Sequence, residues 1–425
     1  MYSRLANKRS QGANLNIQIY NLYVLQKHIF ASALVVIENM KKIKTAFIGA
    51  GYRGKQLLRL LQNFSFFEIV AVADPGIEPA DMPGIVCYNS GEEDYLNMLD
   101  RHKPELVFVA SPWQYHVRHA MQCVEWKCHV ALEIKGGLYL DEYQPLINLA
   151  ERTNCRVYPL ENTLFRREVL AVHNMVDAGM LGEIVYMRGG YRHDLRHLLL
   201  DDAGNIGNRK KTESVWRSKF YQNENGDLYP THGFAPLCLI AGINRKDRIK
   251  YLTSFASKPA GMLQRIKDLG GNTDIKITMG DIISTQMETE NGILISLVHD
   301  TTLPRPRSLD FEIQGTKGIW QGDRRLIYFE GISPDEAWEA DYAYVERYEH
   351  SYWQQWGREA LEQDTHHQGM DYIMLKALEA DLKGEVPYPA TVRDLALWTS
   401  VTPWSKVSIS ERRTVACCFC GAYGR

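Results

Sequence analysis

From Ile43 to about residue 160, short unbroken apolar runs alternate with stretches in which apolar residues recur every three or four positions. Ile43–Gly49, Glu68–Ala73, Leu106–Ala110, His129–Leu132 and Arg156–Pro159 are the runs, and Leu57, Leu58 and Leu61 show the helical spacing that follows the first. Runs this short, bounded by helical segments, predict strands buried on both faces of a parallel sheet, a doubly wound α/β arrangement. Beyond residue 160 the rhythm changes. Glu183–Tyr191, Ile282–Thr289, Ile293–Val298, Leu309–Ile313 and Leu326–Phe329 predict strands, with Asn291-Gly292 as a type I′ hairpin turn and a further turn at 315–318. Phe234, Leu237 and Ile240 place a helix after Thr231-His232, and Ile373, Ala377 and Leu378 line one face of a helix over Gly369–Leu382. The second half therefore predicts an open mixed sheet with helices on one face. The segmentation expected is an extension over 1–39, a first domain over 40–160, a second over 161–410 and a tail over 411–425.

The chain has 425 residues, 45% hydrophobic and 24% charged, which excludes disordered and fibrous classes. Lys and Arg number 49 against 51 Asp and Glu. Such a balance offers no footprint for nucleic acid or an anionic membrane, and no stretch reaches the roughly 20 apolar residues that span a bilayer. A small-molecule partner is expected, with homo-oligomerisation left open. Cys87, Cys123, Cys128, Cys155 and Cys238 are scattered among apolar neighbours and read as buried thiols of a reducing compartment. Cys417-Cys418-Phe419-Cys420 contains a C-x-x-C spacing without a second ligand pair, so no metal site is expected. Ile29–Ile37 weakly resembles a leader, while Met40 looks like a natural start. The expectation is a dispensable extension and a cytoplasmic location, with a periplasmic one if the extension is a signal.

Gly49-Ala50-Gly51-Tyr52-Arg53-Gly54 sits between the first strand and the first helix. Its glycines suit a tight turn, close approach to a pyrophosphate and close helix packing, with the helix N-terminus facing the phosphates. Asp74 ends the second strand, 20 residues after Gly54, where a carboxylate can accept from ribose hydroxyls and repel a 2′-phosphate. The cofactor expected is NAD. The alternative for Asp74 is a cap on the turn before Pro75.

Ser111-Pro112-Trp113-Gln114-Tyr115-His116 and Glu133-Ile134-Lys135-Gly136 follow the third and fourth expected strands of this unit. Here the chain resembles the Gfo/Idh/MocA family of NAD(P)-dependent sugar oxidoreductases, although the lysine falls two residues after the glutamate instead of directly after it. Glu161-Asn162, the Gly189–Arg196 stretch, Tyr229-Pro230-Thr231-His232-Gly233, His299-Asp300-Thr301-Thr302 and His367–Tyr372 narrow the resemblance to the glycoside hydrolase family 109 branch. Leu228 stands where wider-family dehydrogenases carry an Asp, which favours that branch. Arg307 stands where the branch is expected to have Tyr.

The resemblance implies a Rossmann domain plus a C-terminal α/β domain with an open mixed sheet, and a glycosidase that retains NAD. In that mechanism oxidation at sugar carbon 3 acidifies the proton on carbon 2, elimination expels the group on carbon 1, water adds, and hydride returns. Tyr229 and His232 are assigned to proton transfer, Tyr229 at carbon 2 and His232 at the hydroxyl or leaving-group oxygen. The alternative is a structural pair hydrogen-bonded to each other. Gly49, Gly51, Tyr52, Arg53, Gly54, Asp74, Ser111, Trp113, His116, Glu133 and Lys135 are assigned to the cofactor. Glu161, His193, Arg217, Arg307 and His367 are assigned to the substrate. A surface role competes for Arg217 and helix capping for His367, whose place before a helix favours a neutral imidazole. The crowded aromatics over 338–356 could stack on sugar faces, with core or dimer-interface packing the favoured alternative. The rival activity is a sugar or 3-keto-glycoside oxidoreductase with net NAD turnover, and a third reading is a silent NAD-binding protein.

Overall fold

The computed structural model describes residues 41–417 apart from 141, 210 and 211. The expected leader run and the Cys418–Cys420 part of the tail lie outside the described residues. The first domain holds β1 (Ile43–Ile48), β2 (Phe67–Ala73), β3 (Val86–Tyr88), β4 (Leu106–Val109), β5 (His129–Leu132) and β6 (Val157–Pro159). Their spatial order is β3-β2-β1-β4-β5-β6, all parallel. β4 is buried at every residue, and Phe47 of β1 stacks on Phe108 at 4.7 Å. Covered faces explain why these strands are unbroken apolar runs. The order reverses between β1 and β4, which opens a crevice at their C-terminal ends.

The second domain holds β7 (Ile184–Arg192), β8 (Ile249–Ala256), β9 (Ile282–Thr289), β10 (Leu294–Asp300), β11 (Glu312–Gly315), β12 (Gly318–Gln321), β13 (Leu326–Phe329), β14 (Glu339–Ala340) and β15 (Val415–Ala416). They form one sheet in the order β14-β13-β12-β11-β7-β10-β9-β8-β15, with β7 and β10 parallel and the other pairs antiparallel. The helix Thr231–Ala241 lies against β7. A Cβ at Gly189 would stand 2.4 Å from the Gly233 carbonyl oxygen, so only glycine lets the helix approach this closely. That approach sets His232 over the strand.

Three details depart from the sequence reading. Of the hairpin pair only Gly292 takes a positive φ (86°), and Thr289 and Ile293 close a three-residue loop, a type I turn with a glycine bulge instead of type I′. The strand expected from Leu309 begins at Glu312, because Asp310 sits at φ 54° and breaks the extended run. The tail expected from 411 begins inside the fold, since the helix Val392–Glu411 is followed by β15 on β8. The aromatics over 338–356 divide: Tyr352 and Trp353 are buried, Trp353 donating to the Phe165 carbonyl at 2.9 Å, whereas Trp338 and Tyr342 are exposed. Core packing accounts for the first pair.

The last two long helices return to the first domain. Met370–Leu382 packs on the helix Tyr52–Leu61, and Val392–Glu411 packs on the helix Gln144–Thr153. Among the described residues no helix is long and apolar enough to cross a membrane.

Candidate active site at the domain junction

The glycine turn fits a dinucleotide. Gly49 has φ 97°, and a Cβ there would lie 2.5 Å from the Ala110 carbonyl carbon, while one at Gly54 would lie 2.2 Å from the Gly49 oxygen. Gly51 has nothing within 4 Å of its Cβ position and no side chain caps the helix it precedes. Open space in front of uncapped N–H groups is what a pyrophosphate needs. Asp74 accepts from the Ala50 and Gly76 amides, both at 2.7 Å, so it ties the glycine turn to β2 and also caps its own turn. Each oxygen keeps a second lone pair for a ribose hydroxyl.

Arg53 turns away from the turn and donates to Glu133 (3.1 Å) and, with two nitrogens, to Asp371 (2.5 and 2.9 Å). Burial pushes the Glu133 carboxyl up to about 7 against the pull of Arg53. Asp371, although burial works the other way, is held well below the usual carboxylate range by Arg53 and His367. His367, expected on the substrate, has its Nδ1 2.7 Å from Asp371, and its amide donates to Asp364. Asp364, His367 and Asp371 offer ligand atoms within 4.8 Å of one another, but the Arg53 guanidinium already fills the cation's role there. Tyr52 is exposed and its hydroxyl meets His366 at 2.8 Å.

After β4, His116 Nε2 donates to the Ser111 carbonyl at 2.6 Å, and burial brings the imidazole down to about 4, so it is neutral. Trp113 is buried, with Tyr229 at 5.6 Å, Trp216 at 5.0 Å and the Arg217 guanidinium carbon 4.8 Å from its ring centroid. Lys135, expected on the cofactor, is fully buried and donates to Thr402 at 2.8 Å. Burial lowers it to about 7, with Asp227 opposing. Two residues after the glutamate, its side chain reaches the Val392–Glu411 helix, with Nζ 5.8 Å from the Trp113 ring centroid.

Tyr229, Tyr191 and His232 form the centre: ring centroids are 4.5 Å apart for Tyr191–Tyr229, 4.9 Å for Tyr229–His232 and 5.5 Å for Tyr191–His232. No hydrogen bond joins Tyr229 to His232 among the described residues. His232 Nδ1 instead meets Glu161 Oε1 at 2.7 Å. Burial would raise Glu161, but His232 and Thr163 bring it below its ordinary value, so it is an ionised acceptor and Nδ1 carries the proton. Burial lowers His232 as well, with Arg307 and Arg53 adding to it against Glu161, which leaves a neutral ring with Nε2 as acceptor. Glu161 was expected to touch substrate. It is completely buried behind His232, and the role of orienting that ring was not visible in the sequence.

Burial holds the Tyr229 phenol well above 10, supported by Tyr191, Glu133 and Glu161, and Arg217 is the group working against it. Arg217 is buried, its guanidinium carbon 5.4 Å from the Tyr229 ring, so the surface alternative falls. His193 is 6.3 Å from Tyr191 and is brought down to about 4 by burial and then by Arg307. His299, unassigned at the sequence level, is buried on β10 in register with Tyr191, and burial lowers it to about 3.

Comparison with known proteins follows the same division. Residues 43–160 match the family described as "Oxidoreductase family, NAD-binding Rossmann fold", and 165–418 match "Glycosyl hydrolase 109, C-terminal domain". A "Glycosyl hydrolase family 109 protein" of Stenotrophomonas maltophilia is 33% identical over 399 residues, covering 87% of each chain. An "Alpha-N-acetylgalactosaminidase" of Tannerella forsythia is 32% identical over 394 residues, covering 87% of this chain and 84% of that one. Among solved structures, the WlbA dehydrogenase of Bordetella pertussis, in complex with NADH and UDP-GlcNAcA, superposes with a TM-score of 0.65 at 15% identity, covering 89% of this chain and 98% of that one. The myo-inositol 2-dehydrogenase of Lactobacillus plantarum gives 0.63 at 14%, covering 88% and 99%. At such identities these two speak for the fold alone.

Proposed function

We propose, on the premise that this chain belongs to glycosyl hydrolase family 109, that it cleaves a glycoside by a redox-neutral route in which NAD stays bound. The observation that carries the reading is the Glu161–His232 pair beside Tyr229, at the junction of the nucleotide-binding domain with the second sheet. NAD, when bound, supplies reversible oxidation at sugar carbon 3, which acidifies the proton on carbon 2. His232, held as the Nδ1–H tautomer by Glu161, presents Nε2 to take a hydroxyl proton and to return it to the leaving or re-formed oxygen. Tyr229 exchanges the carbon-2 proton, with the Arg217 charge favouring the phenolate form that burial opposes. Trp113 and Tyr191 lie tilted against the Tyr229 ring and help to bury it.

The test is turnover of chromogenic α- and β-glycosides in deuterated solvent, with α-N-acetylgalactosaminides first because of the name the Tannerella forsythia relative carries. Cleavage with deuterium at carbon 2 and no net rise in NADH absorbance is expected. Cleavage without deuterium would sink the elimination route, and stoichiometric NADH release without cleavage would make the protein a dehydrogenase.

A further inference from the structure

Arginines crowd the rim of this site, and nearly all are matched. Arg192 and Arg305 share Asp300, Arg196 takes Asp194 and Arg217 takes Glu213. Arg307 differs: it is exposed and has no carboxylate partner among the described residues. The antiparallel bridge between Arg192 and Ser308 sets Arg307 opposite His193, and its charge works against protonation of His193 and His232. Arg217, 5% exposed, uses Nη1 on Glu213 at 2.9 Å and leaves Nε and Nη2 without a partner. Buried donors left unmade are costly unless a ligand satisfies them, and the flat guanidinium fork matches the paired oxygens of an oxyacid. His299, 1% exposed, has no partner on either ring nitrogen. Of the acids nearby, Glu161 bonds His232 through Oε1 and Glu213 bonds Arg217, while Glu161 Oε2 and Asp300 Oδ1 have no hydrogen-bond partner.

We propose that the sugar this enzyme accepts carries an anionic oxyacid group, a carboxylate, sulfate or phosphate, read by Arg307 with the open donors of Arg217 and His299. The proposal rests on the glycoside reading and narrows its substrate class. Calorimetry on the NAD-loaded full chain tests it with matched sugars: galactose against galacturonate, glucose against glucuronate, and N-acetylgalactosamine against its 6-sulfate and 6-phosphate. At low salt at least one acid is expected to bind about tenfold tighter than its neutral partner, the usual gain from a charge-assisted contact, and the arms separate carboxylate from sulfate and phosphate. Arg307→Gln and Arg307→Tyr should both abolish the preference while NAD affinity and melting temperature hold. Acids binding no tighter than neutral sugars in every pair, or a preference that survives in both folded variants, would overturn it. Cleavage of neutral glycosides with carbon-2 exchange and no acid preference would leave the hydrolase reading standing and this one refuted. An acid preference without cleavage of any glycoside would support this subsite and refute the hydrolase.

Discussion

Glu161 and His232 show what one carboxylate oxygen does to a ring. As an acceptor only, it fixes the proton on Nδ1 and so leaves Nε2 free as a base. Glu161→Gln, whose amide can donate as well as accept, should lower turnover by roughly 10²- to 10⁴-fold, with NAD affinity unchanged in calorimetry. Tyr229→Phe should lower turnover by a comparable factor and abolish exchange at carbon 2. In Arg217→Gln the opposing charge is gone, so the limb of the pH–rate profile that reports the phenolate should move to higher pH. Asp74 bonds the Ala50 amide at the mouth of the glycine turn, so Asp74→Ala should weaken NAD and narrow its advantage over NADP in the same titration. The closeness of Tyr229 and His232 was legible because they stand three apart around the start of one helix, while their roles came from the family resemblance. Glu161 lies 71 residues from His232, and their meeting depends on how the sheet and the 231–241 helix pack. Lys135 shows the same limit: its contact with Thr402 lies 267 residues away and no local spacing announces it.

Elements were legible in proportion to how strongly burial patterned them. β4 and β5 are covered on both faces and announced themselves as apolar runs. The two-residue β14 and β15 carry no periodicity at all and exist because a neighbouring strand edge is free. Between elements, Arg53 links the first helix of the nucleotide domain to the Met370–Leu382 helix through Asp371, whose side chain is 4% exposed. Removing one partner of a buried pair leaves the other charge unmatched, so Asp371→Asn should cost about 3 kcal/mol in denaturant unfolding. The sign with pH follows from the direction of the shift. A carboxyl held far below its unfolded value contributes fully above roughly pH 4 and loses that contribution as pH falls further, so the gap between wild type and Asp371→Asn should close in acid.

For the molecule as a whole, buried histidines set the acid limit. His116 and His299 are lowered to about 4 and about 3 by burial, below an unfolded value near 6.5. Below that unfolded value the unfolded chain binds protons that the fold refuses. Stability is therefore complete above roughly pH 6.5 and declines by up to about 1.4 kcal/mol per pH unit for each such group until its folded value is reached. Melting temperature should fall steadily from pH 6.5 to 4, and His299→Gln should reduce the slope. The two-domain plan was readable from the change in apolar rhythm near residue 160. The return of both late helices to the first domain was not, because their apolar faces do not name the surface they cover.

That return governs how the protein comes off the ribosome. Arg53, which has Glu133 within its own domain, finds its second partner 318 residues downstream, and Lys135 finds Thr402, 267 residues downstream. A nascent chain that has emerged as far as β6 has its nucleotide crevice in outline but none of the fastenings that hold it to the rest. A chain released early, before Asp371 and Thr402, would keep the Asp74 tie on its glycine turn and the Arg53–Glu133 pair but none of the fastenings to the second domain.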